Sequence, residues 1–166
     1  MPWWRFAFAL LLTYLLQTTL VRLIAPPAVD LFVVLALVCA WSAPPVEARL
    51  AGWSTGFLQD VGSAGPLGLH ALALGLLVFL LTYLREHVNR EVWWVRWLVG
   101  LVAVFPLQLL VHLHERYWQD AAGSWARMLA ESLATAVVTG LLAALVLGLP
   151  TLLGMRRRRF APYRRW

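Results

Sequence analysis

The sequence predicts an all-α integral membrane protein: a six-helix transmembrane bundle making one domain over residues 1–166. Three observations predict it. First, 61% of the residues are hydrophobic and 13% are charged, with a mean hydropathy of +0.73; an ordinary soluble domain carries about twice that share of charge. A chain of 166 residues cannot hide so much apolar surface in one water-soluble core, because small domains keep a large surface-to-volume ratio. Second, the apolar residues fall into six runs punctuated by proline, glycine and charge. Third, all 14 basic residues are arginine, and they fall unevenly across those runs. The composition excludes a disordered chain.

Residues 6–24 form the first run, with Trp3, Trp4 and Arg5 as interfacial anchors. No A-x-A-like cleavage site follows it, so it is expected to be retained rather than removed as a signal peptide. Pro26-Pro27 ends it. Residues 29–41 form the second run, stopped by Ala43-Pro44-Pro45, and residues 49–61 the third. About 13 residues rise only about 20 Å, so these two are thin spans extended by their flanks or a re-entrant pair. Residues 67–84, 97–113 and 126–153 complete the set. The last is the longest, and its first turns are expected to stand above the bilayer. Residues 154–166 form an arginine-rich tail suited to the inner surface and its anionic lipids.

Six spans with both termini cytoplasmic leave Arg22, Arg116 and Arg127 outside and the other eleven arginines inside. This is the asymmetry of the positive-inside rule. The net charge of +6 therefore reads as an orientation signal and not as nucleic-acid binding. The expected location is the bacterial cytoplasmic (inner) membrane, multi-pass.

Ionisable groups inside a membrane are costly and mark functional sites by default. The topology places Arg22, Asp30, Asp60, His70, Arg127 and Glu131 together in the outer half as a candidate polar cluster or partner site. Gln17 and Gln108 lie nearer mid-depth. Asp60 is the most demanding, because it sits at a helix C-terminus, where the macrodipole disfavours an anion. It needs Arg22, His70 or the backbone amides opening the fourth span. The cluster reads either as groups that cap and pair for stability or as a ligand or proton-relay site.

Two ladders of small residues suit close helix packing, the main source of association in lipid. One is Gly52 and Gly56; the other is Ser132, Ala136, Gly140, Ala144 and Gly148. They face other helices of this chain, or one of them faces a partner protein. Other signals carry less. His112 and His114 point to different faces of a helix, so no metal is expected. Gly62, Gly65 and Gly68 suit a tight turn and not a dinucleotide fingerprint. Cys39, alone in an apolar run, is a small core residue. No nucleophile stands beside a base and an orienting group, so neither catalysis nor a cofactor is expected.

Three stretches together carry a resemblance: Pro26-Pro27-Ala28-Val29-Asp30-Leu31, then Gly56-Phe57-Leu58-Gln59-Asp60, then Gly65-Pro66-Leu67-Gly68-Leu69-His70-Ala71-Leu72. In them the chain resembles the bacterial rod-shape-determining protein MreD family, best over residues 24–84 and beyond that mainly in span pattern. The resemblance implies a non-enzymatic membrane subunit of the cell-wall elongation complex, or elongasome, supporting peptidoglycan synthesis and rod cell shape. It implies MreC as partner, through its membrane helix and periplasmic part, with RodA, a class B penicillin-binding transpeptidase and MreB in the larger complex. It also implies an architecture similar to the S subunits of energy-coupling-factor transporters, which hold a vitamin near the outer side of a six-helix bundle. A solute-binding transport subunit is the alternative function.

Overall fold

A computed structural model of the chain describes residues 2–21, 29–63, 66–85, 93–118 and 124–152. Among them the protein is all-helical, with six α-helices, one π-helical turn and no strand.

Helix α1 (Trp3–Leu16) runs into the π-helical turn Gln17–Val21. Threonine hydroxyls that bond back to the preceding turn loosen a helix. Here Thr18 donates to the Tyr14 carbonyl at 2.8 Å and Thr19 to that of Leu15. Helix α2 (Leu31–Ser42) is apolar on nearly every side, as a central helix should be; Phe32, Val33, Ala36, Leu37 and Ala40 are all buried. Around it pack α1, α3 (Pro45–Gly62), α4 (Leu69–Leu84) and α6 (Trp125–Leu152). Helix α5 (Trp93–Trp118) pairs with α6 and touches α4.

The third helix starts four residues before the expected 49. Pro45, read as a stop, is a starter: proline at the first helical position loses no hydrogen bond and presets φ, and Pro45 holds that place. The 18 residues of α3 rise about 27 Å, against about 20 Å expected for the run 49–61. Helices α5 and α6, at 26 and 28 residues, rise about 39 and 42 Å. Among the described residues two helices are long and apolar enough to cross a membrane: α5 over Trp97–His114 and α6 over Trp125–Gly148; α2 and α4 are apolar but shorter.

The face distribution of α3 is inverted relative to a water-soluble helix. Ala48, Ala51, Gly52, Thr55, Gly56 and Asp60 point inward and are buried, whereas Val46, Leu50, Trp53, Phe57 and Val61 form an exposed apolar stripe. Gly56 brings α3 against α4, because a Cβ there would overlap the His70 carbonyl and the Ala71 Cα. At Gly75 a Cβ would overlap the Trp53 ring. Both small-residue ladders are turned into the molecule. Gly52 and Gly56 lie on α4, while Ser132, Ala136, Gly140 and Ala144 are buried, with Gly140 beside Trp97 and Leu101 of α5. Of the ladder residues, Gly148 alone has no described atom within 4 Å of a Cβ placed on it.

Candidate functional site

The Asp60 side chain lies at the C-terminal end of α3 but serves the N-terminus of α4. Its carboxylate accepts from the amides of Gly68 (2.9 Å), His70 (2.9 Å) and Ala71 (3.0 Å), and from Nδ1–H of His70 (2.9 Å). Each oxygen thus takes two donors, and the residue is only 1% exposed. A helix N-terminus leaves its first amides without intrahelical partners and carries partial positive charge. Asp60 answers both, offsetting the unfavourable end of its own helix. Gly68 makes the arrangement possible: its φ of +103° is a left-handed conformation that glycine adopts without strain.

Asp30 also holds a helix N-terminus. Its Oδ1 accepts from the amides of Phe32 (3.0 Å) and Val33 (3.2 Å), which is how an aspartate caps α2. Its Oδ2 accepts from Nε2 of Gln59 (3.0 Å) and, at 3.5 Å, from Nε2 of Gln108. Its amide donates to the Thr139 hydroxyl (3.4 Å). Beside it, Gln17 donates to the Val29 carbonyl (3.1 Å) and accepts from the Leu31 amide (3.0 Å). The π-helical turn, α2, α3, α5 and α6 therefore converge on one N-cap. Oε1 of Gln59 is buried there with no hydrogen-bond partner.

The Gln59–Asp30 contact places Asp30 and Asp60 at the same end of the bundle. Arg22 lies outside the described residues. The expectation that Arg127 and Glu131 join this cluster is corrected. Thr139 is the α6 residue level with Asp30; Arg127 and Glu131 come 12 and 8 residues earlier, about 18 and 12 Å along the helix. They pair with each other instead, Nε to Oε1 at 2.7 Å, with side chains 77% and 40% exposed. Helices α5 and α6 therefore run on beyond the level where α2 and α4 begin. His112, one turn past Gln108, shares its Nδ1–H between the Gln108 carbonyl (2.8 Å) and the Ser132 hydroxyl (3.2 Å).

Gln59 and Thr139 are the residues that the sequence does not single out. Both are neutral, and nothing in their spacing marks them as partners of Asp30. At the opposite end, Arg85 reads from sequence as a loop charge. It is instead 5% exposed, with Nη1 donating to the carbonyls of Ala40 (2.5 Å) and Ala43 (2.7 Å) at the C-terminus of α2.

No known protein family, curated protein or solved structure matches the chain.

Proposed function

We propose that this chain is a six-span, non-enzymatic subunit of the bacterial cell-wall elongation complex. On this reading it lies in the cytoplasmic membrane with both termini inside and binds MreC at its outer end. RodA, a class B penicillin-binding transpeptidase and MreB would complete the assembly. The observation that carries the reading is the Asp60 clamp. Two of the stretches that resemble MreD form one structural unit over residues 56–60 and 66–72: Gly56 lets the helices touch and Asp60 bonds Gly68, His70 and Ala71.

Membrane insertion draws on the face distribution. The apolar stretches of α5 and α6 are only 22% and 39% buried, too little for the core helices of a water-soluble protein. Helix α3 falls short on average hydropathy because it carries Glu47, Arg49, Ser54, Thr55, Gln59 and Asp60, yet Val46, Leu50, Trp53, Phe57 and Val61 make an exposed apolar stripe and its length of about 27 Å approaches the hydrocarbon thickness. Cysteines introduced at Ser42, Ser63 and Gly123 in a Cys39→Ala background test the topology. Six spans require cytoplasmic, external and external labelling respectively, and any other pattern rejects them.

Co-purification with MreC from the same bacterium, together with cell shape, tests the partner. Asp30→Ala plus Asp60→Ala is expected to abolish both. Asp30→Ala alone, which removes a cap and not the α3–α4 clamp, separates docking from misfolding. Normal rod shape and MreC binding in the Asp30→Ala variant, which keeps the clamp and folds, would refute the docking site.

A second reading is a solute-binding subunit similar to those of energy-coupling-factor transporters. What favours it is the buried, unpartnered Gln59 Oε1 beside Asp30. Native mass spectrometry decides: a small molecule retained at one-to-one occupancy selects this reading.

A further inference from the structure

We propose that Arg49 forms a binding site for the phosphate of an anionic phospholipid, in the groove between α3 and α4 at the end opposite Asp60. The inference rests on the membrane reading above and adds a ligand to it.

The guanidinium is held on two sides. Its Nε donates to the Thr82 hydroxyl at 3.1 Å, and its Cζ lies 4.5 Å from the centre of the Phe79 ring. Stacking and a single edge contact fix the plane of the group. Among the described residues its two terminal nitrogens make no hydrogen bond or ion pair. What remains on offer is the fork that matches a phosphate with two parallel hydrogen bonds. Arg85, at the same end of the bundle, makes the contrast, because its Nη1 is engaged by two carbonyls.

The height of Arg49 suits a lipid headgroup. Asp30 bonds both Gln59 and Gln108, so those residues are level. Arg49 lies ten residues below Gln59 on α3, and Trp97 lies eleven below Gln108 on α5, about 15 and 16 Å respectively. Trp97 is where the apolar stretch of α5 begins. Arg49 therefore sits at one boundary of the apolar layer, and helical side chains lean toward the N-terminus, which for α3 is toward that boundary. In the six-span topology this is the cytoplasmic leaflet. Exposed Val46, Leu50, Phe79 and Leu80 on the two helices offer acyl chains an apolar wall. A free phosphate ion would have no use for that wall, so the site commits to a lipid.

The test is native mass spectrometry of the delipidated full chain in detergent, titrated with phosphatidylglycerol, with inorganic phosphate in a parallel series. Arg49→Gln is expected to weaken the tightest phosphatidylglycerol binding about tenfold, the scale of one charge-assisted hydrogen bond. Arg49→Lys, which keeps charge but loses the fork, should fall between. Thr82→Val, which keeps the cation and frees its plane, should also weaken binding, while Arg127→Gln should bind as the parent does. Lipid binding in Arg49→Gln equal to the parent overturns the proposal, as does phosphate binding as tightly as the lipid. If the chain fractionates outside the membrane, the membrane reading fails first. If it stays in the membrane and Arg49→Gln changes nothing, this proposal alone fails.

Discussion

The two ends of the α2–α3–α4 unit solve the same electrostatic problem with opposite charges. At one end, aspartates sit on helix N-termini: Asp30 on α2 and Asp60 on α4. At the other, Arg85 sits on the C-terminus of α2. Each charge meets the backbone partial charge of opposite sign. The ends differ in how much freedom they leave. Asp60 takes four donors from one short segment, two per oxygen, and is locked. The arginine end is divided between one guanidinium that holds α2 and another with an open edge. The lesson is that a buried charge in an apolar bundle is cheapest when the chain's own helix termini neutralise it. A charge not so neutralised is where an outside group belongs.

The comparison can be broken most forcefully at Asp60. Asp60→Ala strands three amides and the His70 Nδ1–H in the interior. Removing one member of a buried charged set costs about 3–5 kcal/mol, enough to lose most of the folded protein. Melting of the purified chain in detergent measures this, and Asp60→Asn, which keeps one acceptor, should fall between. Next is the backbone contact beneath it. Gly56→Ala drives a methyl into the backbone of His70 and Ala71 and should cost about 1–3 kcal/mol, as overpacking does; Gly148→Ala, with open space around it, should leave melting unchanged. The smallest effects weigh the two ends against each other. Arg85→Gln should cost up to about 2 kcal/mol, the range for a partly buried charge at a helix terminus. Asp30→Ala should cost about 1 kcal/mol, the usual value of a lost cap. Equal losses for Asp60→Ala and Asp30→Ala would mean that the clamp contributes no more than a cap.

Much of this architecture was legible. The Pro26-Pro27 break and Asp30 marked the start of α2, which begins at Leu31. The macrodipole alone showed that Asp60 stood at the wrong end of its helix and had to find Arg22, His70 or the amides of the next one; among the described residues it found the last two. The start of α3 was missed because a proline pair signals either an end or a beginning, and the choice depends on whether chain follows in helical geometry. The depth of Arg127 and Glu131 was missed for another reason. A helix of 28 residues carries no internal mark of which turn lies level with a neighbour, and the match to Asp30 is made by an unremarkable threonine. The burial of Arg85 was not legible, because a charge ending an apolar run looks the same whether it enters water or folds back onto carbonyls.

The unequal stature of the helices has a consequence for whatever surrounds them. The exposed flank of α4 rises about 24 Å and that of α6 about 42 Å, from 16 and 28 residues. In the membrane proposed above, lipid against the short α4 would be thinned relative to lipid against α6, since mismatch is met by local thinning or thickening. The molecule would act as a ramp, and neighbours whose own spans fit the thin side would gather there without any specific contact.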